Sequence, residues 1–91
     1  MKVGLVIRIA NVMVQNYLMH NSVTMPNSRM CLELGFTKQN LFENLKYKDN
    51  YRLKELQKIG ITKMHIGNKV VWHLNINTFC KFLGSKKQIF A

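Results

Sequence analysis

Acidic residues are scarce in this chain. Four Asp and Glu stand against fourteen Lys and Arg among 91 residues, which gives a formal net charge of +10 and a pI near 10.0. A compact chain with this excess repels itself unless a polyanion neutralises it, and nucleic acid is the commonest polyanion. A basic surface that is merely solvated is the competing interpretation. So few carboxylates, with no Ser/His/Asp or Cys/His arrangement beside them, lead us to expect no enzymatic activity.

Metal-binding and disulfide patterns are also missing. The two cysteines, Cys31 and Cys80, are far apart and lie on predicted core faces, and the three histidines have no ligand spacing with them. We therefore expect free thiols in a reducing cytoplasm, with no zinc, cofactor or small-molecule substrate. Long apolar runs are absent too, because Arg8, Asn11 and Gln15 interrupt the N-terminal segment. We therefore expect neither a signal peptide nor a membrane span, but a cytoplasmic protein whose basic charge favours association with the nucleoid.

The residues around Gly35 predict two helices joined by a tight turn. Cys31 is small enough for close helix packing, and Gly35, four residues later, can adopt the positive φ of a sharp helix ending. Thr37 is placed to cap the next helix, and Leu41 would point back at the first one. These offsets are typical of a helix-turn-helix with helices over residues 26–34 and 38–46.

A β-hairpin is the second strong signal. Two β-rich runs, residues 61–66 and 69–74, flank Gly67 and Asn68, and a glycine at the first loop position favours a type II′ turn. A period of two predicts one face with Met64, Ile66, Val70 and Trp72, and another with Lys63, His65, Val71 and His73.

The remaining segments are assigned from apolar spacing. Residues 1–22 read as an amphipathic helix or, over 3–9, as a strand, and serve either as a dimer contact or as a cap on the domain. Residues 23–84 form the domain, with a helix over 50–58 capped by Asp49 and a last helix over 76–83 stopped by Gly84. Residues 85–91 form a short basic tail. The positions expected to face inward include Phe42, Tyr51, Phe79, Phe82 and Leu83.

Two short motifs in this order carry a family resemblance. Leu34-Gly35-Phe36-Thr37, followed by Ile66-Gly67-Asn68-Lys69-Val70, resembles the pattern of excisionase-like and MerR-type DNA-binding domains over residues 23–83. The departure is residues 47–61, which are longer than the usual link between recognition helix and wing. The resemblance implies an α+β, mostly α fold, a winged helix-turn-helix with a two-stranded β-hairpin wing and a closing C-terminal helix. It further implies a small phage, plasmid or bacterial regulator or excisionase-like architectural factor that binds double-stranded DNA.

Polar side chains of the second helix suit base edges in the major groove. Gln39 and Asn40 have the paired donor and acceptor that match adenine, and Lys38 suits guanine. Glu43 would either accept from cytosine or pair with Lys46. With the wing on the backbone or in the minor groove, the predicted DNA contacts are Thr37 (if it is not engaged in capping), Lys38, Gln39, Asn40, Glu43, Asn44, Lys46, Lys48, Lys63, His65, Asn68 and Lys69.

The small size of the domain limits the interface that one copy can form. Tight specific binding by a monomer is therefore not expected, and we expect a dimer or a cooperative array on DNA. The alternative function is a protein-interaction adaptor or inhibitor that meets an acidic partner with the same basic face. RNA binding is a weaker alternative, because the sequence shows no aromatic pair on an exposed sheet.

Overall fold

The computed structural model describes residues 4–46 and 50–90, with side chains as far as residue 84. Over these residues the fold is α+β and mostly helical. In chain order, the elements are α1 (Leu5–His20), β1 (Thr24–Pro26), α2 (Asn27–Leu34), α3 (Lys38–Leu45), α4 (Tyr51–Ile59), β2 (Ile61–Ile66), β3 (Lys69–Leu74) and α5 (Ile76–Phe90). No helix in this part of the chain is both long enough and apolar enough to cross a membrane.

The N-terminal segment is a helix rather than a strand. Ile9 and Met13 of α1 are fully buried, one turn apart. Asn16, also buried, donates from its Nδ2 to the backbone oxygens of Ser22 (3.2 Å) and Thr24 (3.0 Å). These bonds hold the chain as it leaves α1 and enters the sheet. The helix therefore supplies part of the same core that the rest of the chain surrounds.

The sheet has three antiparallel strands in the order β1-β3-β2. The prediction of a two-stranded hairpin was therefore incomplete, because β1 pairs with the far side of β3 and places Met25 opposite Trp72. The hairpin itself has the predicted bounds, and Gly67 has the positive φ, 61°, that its loop requires. Strand β3 is thus the centre of the sheet.

The predicted division of the hairpin into two faces was wrong. Directly opposed residues of an antiparallel pair share a face, and Lys63 lies opposite Trp72. The two-residue loop sets Ile66 opposite Lys69, so an odd-numbered residue of one strand always faces an even-numbered residue of the other. The inner face carries Ile61, Lys63, His65, Val70, Trp72 and Leu74, and the outer face carries Thr62, Met64, Ile66, Lys69, Val71 and His73.

Helices α2, α3 and α4 begin and end close to the predicted positions. Gly35 ends α2 with φ 74° and Gly60 ends α4 with φ 103°, both in the left-handed region that favours glycine. The side chain of Asn50 caps α4 by accepting the backbone N–H of Arg52 at 2.9 Å. Asp49, the predicted cap, lies outside the described residues.

Several residues expected to be inside are at the surface. Phe42 is 52% exposed, and Tyr51, Leu83 and Cys80 are exposed as well. Phe42 and Tyr51 lie on helices whose buried positions are occupied by Leu41, Leu45 and Leu56, whereas none of the described side chains of α5 is fully buried. Gly84 does not stop α5, which runs on to Phe90, because it does not adopt the positive φ that makes a glycine a helix terminator.

The core is gathered around Trp72, which is fully buried. The indole Nε1 donates to Oδ1 of Asn27 at 3.0 Å, so its polar atom is satisfied and the sheet is tied to the first turn of α2. The other buried apolar residues are Ile9, Met13, Met25, Met30, Cys31, Leu34, Leu41, Leu45, Leu56, Ile61 and Leu74.

Candidate nucleic-acid interface

The turn between α2 and α3 fixes the start of α3. The hydroxyl of Thr37 accepts the backbone N–H of Asn40 at 3.0 Å, so Thr37 is engaged as the N-cap. Because that bond uses only an acceptor lone pair, the hydroxyl proton is still available to an external acceptor such as a phosphate oxygen. The side chains of Lys38, Gln39 and Asn40 are all exposed directly after this cap.

A short polar network runs along the exposed face of α3. Nε2 of Gln39 donates to Oε1 of Glu43 at 2.8 Å, and Oε2 of Glu43 pairs with Nζ of Lys46 at 2.8 Å. The hydrogen bond from Lys46 and its charge hold the pKa of Glu43 below the ordinary value. Of the two roles expected for Glu43, the structure contains the pairing with Lys46. The carboxylate also restricts the amide of Gln39 to one orientation.

Asn44 has a structural role in joining α3 to α4. Its Nδ2 donates to the backbone oxygen of Asn40 at 2.8 Å. Its own backbone oxygen accepts from Nδ2 of Asn50 (2.7 Å) and Nη1 of Arg52 (3.2 Å). The carbonyl of Asn44, in the last turn of α3, is thereby satisfied, and Asn44 itself is half-buried. Lys48, another predicted contact, lies outside the described residues.

The hairpin brings further cations to the same side of the molecule as α3. Lys63, opposite Trp72 on the inner face of the sheet, is half-buried, and burial lowers its pKa. Cys31 lies close enough to Lys63 for its charge to raise the pKa of Lys63, which opposes the effect of burial. Burial raises the pKa of the Cys31 thiol, while the charges of Lys38 and Lys63 partly oppose that rise. These three side chains therefore sit at the junction of α2, α3 and β2.

Two grooves meet at Lys38. The first, the helix–hairpin groove, encloses about 300 Å³ between α3, α4 and the hairpin, and Lys38, Lys46, Lys63 and His65 supply its basic side chains. The second, the tip groove, lies between the first turn of α2 and the end of the hairpin. Its polar lining residues are Asn27, Ser28, Lys38, Asn68 and Lys69.

Most of the predicted contact residues are thus brought together by the fold. The N-terminal turn of α3 is exposed, and the cationic hairpin adjoins it along both grooves. No described residue of α5 lines either groove. The arrangement sets amides and cations around grooves that are also lined by apolar side chains such as Phe42, Leu53 and Val70. The polar and basic groups suit the phosphates and base edges of a nucleic acid.

Asn27 and Ser28 were not predicted to belong to the site. They occupy the first turn of α2, directly after the N-cap residue Pro26. No side chain makes a capping hydrogen bond at this end of the helix. The polar pair directly after a proline was the available signal, since proline favours the first turn of a helix and the first amides of a helix lack internal partners.

Two arginines that could have extended the basic surface contact the protein itself. Nη2 of Arg8 donates to the backbone oxygen of Leu34, and its guanidinium lies 5.3 Å from the centroid of the Phe36 ring. Arg8 therefore joins α1 to the end of α2. The guanidinium of Arg52, besides its bond to α3, lies 4.9 Å from the ring centroid of Tyr51.

Neither a metal site within the described residues nor a match among known proteins was found. Over residues 4–46 and 50–84, no group of three or more His, Cys, Asp or Glu side chains could hold a metal ion. Comparison with protein-family models, with curated proteins and with solved structures found no match.

Proposed function

We propose that this chain binds double-stranded DNA as a winged helix-turn-helix, with α2 and α3 as the two helices and the β2–β3 hairpin as the wing. The observation that carries the proposal is the position of Lys38. It stands at the exposed start of α3 and also lines both grooves toward the hairpin, so one duplex could contact the helix and the hairpin together.

The exposed turn of α3 has the chemistry of base readout. An α-helix with its side chains is about 10–12 Å across, which matches the width of the major groove, and the eight residues of α3 offer it about 12 Å of length. Gln39 and Asn40 present amides that can both donate to and accept from adenine, and Lys38 can donate to guanine. Glu43 fixes the amide of Gln39 before any ligand arrives, which lowers the entropy cost of a specific contact.

Cations of the hairpin and of the end of α3 can neutralise phosphates. Lys46, Lys63 and Lys69 line the two grooves, and three phosphate contacts would give a log–log salt slope of about −2.7. His65 and Asn68 lie between these lysines along the hairpin and can donate to the backbone or enter the minor groove. Such contacts are independent of sequence, so they set affinity and register while α3 selects the site.

In this proposal the protein acts without catalysis, as a transcriptional regulator or as an excisionase-like architectural factor in the cytoplasm. The resemblance in the two motifs supports that class of function. The α4 helix occupies the segment between recognition helix and wing that is short in the resembling domains. It packs against β2 and α1, and so places the hairpin beside α3.

The test is a binding titration by fluorescence anisotropy with random and AT-rich duplexes over a salt series. We expect binding to every duplex at low salt, with a steep loss as salt rises. Failure to bind any duplex at low salt would favour the adaptor alternative. Preference for single strands would instead favour RNA or single-stranded DNA.

A pair of double variants separates readout from affinity. Lys38→Ala with Gln39→Ala should reduce discrimination between sites more than it reduces total affinity. Lys63→Ala with Lys69→Ala should lower affinity for all sequences and flatten the salt slope by about 2. Equal losses from both pairs on all DNA would mean that α3 is not the recognition helix.

A further inference from the structure

The outer face of α1 carries a heptad-like stripe that no other part of the described chain covers. Ile7 is 56% exposed and Leu18 is 68% exposed, and Val14 between them is half-buried. With Asn11, which is also exposed, these residues follow one another at steps of four, three and four. That spacing defines the a and d positions of a coiled-coil seam. The stripe lies opposite Ile9 and Met13, which face the protein's own core.

The flanks of this seam carry no charge that is free to meet a partner. In the heptad set by Ile7 as d, the flanking e and g positions are Arg8, Ala10, Gln15 and Tyr17. Arg8 is turned toward α2, where it donates to a backbone oxygen. These α1 positions therefore add little like charge to a contact between two copies of a chain with a net charge of +10, and Arg29 and Glu33 of α2, which line a groove beside Asn11, have opposite signs.

The single polar residue of the seam is complementary to itself. When two copies of α1 pair in parallel, each seam residue meets its own counterpart, and Asn11 meets the partner's Asn11. An amide both donates and accepts, so the two side chains satisfy one another, which a lysine or a glutamate could not do. Antiparallel pairing would set Asn11 against the partner's Val14 and leave the amide without a hydrogen-bond partner.

We infer that α1 is a self-association surface, through which two copies of this chain pair in parallel along Ile7, Asn11, Val14 and Leu18. The inference does not depend on DNA binding. The seam covers about three turns, which is short for an isolated coiled coil. However, α1 is already folded on its own core, so association does not have to order it. The dimer is accordingly weak in dilute solution and its population rises with concentration.

The first test measures the oligomeric state without DNA by sedimentation equilibrium. We expect the wild-type protein to pass from monomer to dimer between about 1 μM and about 1 mM. Leu18→Glu should remain monomeric over that range, because it places like charges at a paired seam position. Leu32→Glu is the matched control, since Leu32 is 82% exposed on α2 and lies outside the seam, and it should dimerise like wild type.

A wild-type protein that stays monomeric throughout the range would overturn the inference, as would equal effects of the two Glu variants. Circular dichroism checks that both variants fold. DNA affinity, measured at concentrations where wild type is monomeric, should be unchanged by Leu18→Glu, so failure here is distinguishable from failure of the DNA-binding proposal.

A second test fixes the direction of pairing by disulfide trapping. The background is Cys80→Ser, because Cys80 is exposed and would cross-link by itself, whereas Cys31 is buried. Val14→Cys, which keeps Asn11, should form a cross-linked dimer on mild oxidation, since the parallel seam brings the two Val14 positions together. Cross-linking between Ile7→Cys and Leu18→Cys chains, with none from Val14→Cys, would show antiparallel pairing and overturn the proposed register.

Discussion

Replacing Lys63 by methionine should separate DNA affinity from folding stability. Lys63 lies on the inner face of β2, where burial already disfavours its charged form. Methionine is of similar length and apolar, so it can occupy the same space beside Trp72 without the cost of removing a charge from water. We therefore expect the free energy of unfolding at neutral pH to stay the same or to rise.

The DNA affinity of the same variant should fall. One lost phosphate contact lowers the log–log salt slope by about 0.9, which at 0.1 M salt relative to 1 M is about eightfold in affinity, or about 1.2 kcal/mol. The loss should be the same on every duplex, because a phosphate contact carries no sequence information. Anisotropy titrations at several salt concentrations measure both quantities.

Lys81→Met is the matched control. It removes the same charge from the exposed surface of α5, which lines neither groove. An equal loss of affinity in both variants would mean that net charge alone drives binding. An unchanged slope in Lys63→Met would mean that Lys63 does not contact the duplex.

The pH dependence of stability gives an independent check on Lys63. Its folded-state pKa is below the ordinary value of 10.5, so between those two values the unfolded chain binds more protons than the folded one. The contribution of Lys63 to the free energy of unfolding should therefore rise with pH between those two pKa values. The rise should be absent in Lys63→Met, and its persistence there would assign it to another group.

Three further predictions concern the supports of the site. Gly60→Ala should destabilise the fold by about 2–4 kcal/mol in urea unfolding, because φ is 103° and a Cβ would lie 2.8 Å from the backbone oxygen of Asn75. Thr37→Ala should cost about 1 kcal/mol through the lost N-cap of α3. The ion pair between Glu43 and Lys46 stabilises the fold above pH 4.5, and this stabilisation is lost as the pH falls through the lowered pKa of Glu43. Glu43→Gln should therefore remove that part of the destabilisation by acid.

Each of these has a clear contrary result. Gly84→Ala is the control for Gly60, since nothing lies within 4 Å of its added Cβ and it should be neutral or stabilising by up to about 1 kcal/mol. Equal effects of the two alanines would contradict the close-contact argument. A Thr37→Ser variant should keep most of the cap, and melting curves of Glu43→Gln that match wild type between pH 3 and 6 would exclude a role for the pair.

Local signals in the sequence were sufficient for the turns at Gly35 and Gly67. Both glycines adopt the predicted positive φ, and Thr37 caps α3 as its spacing predicted, whereas Gly84 does not end α5. These features depend on a few neighbouring residues and on backbone sterics. Consequently the bounds of α2, α3 and the hairpin could be predicted closely.

Features that depend on distant partners could not be predicted in this way. Strand β1 has three residues, too few for a periodic pattern, and it exists because β3 offers it a partner. The placement of Lys63 on the inner face is different, because it follows from the predicted two-residue loop, which pairs odd-numbered with even-numbered residues. The two faces were assigned wrongly because the period of two was applied to each strand without that register. Phe42 was assigned to the core by residue type, although Leu41 and Leu45 already fill that stripe.

The site was partly predictable for the same reasons. The exposure of Lys38, Gln39 and Asn40 follows from the amphipathic pattern of α3. Asn27 was indicated only by its place after Pro26, and its bond to Trp72, forty-five residues away along the chain, could not be predicted from a local pattern.

The bond between Trp72 and Asn27 also gives the protein an intrinsic optical reporter. Trp72 is the single tryptophan of the chain, so its emission has one source. Its indole is shielded from water, which places the emission at short wavelength, and its hydrogen-bond acceptor lines both grooves. Occupation of either groove should therefore change the spectrum, and titrations can be followed without a dye on either molecule.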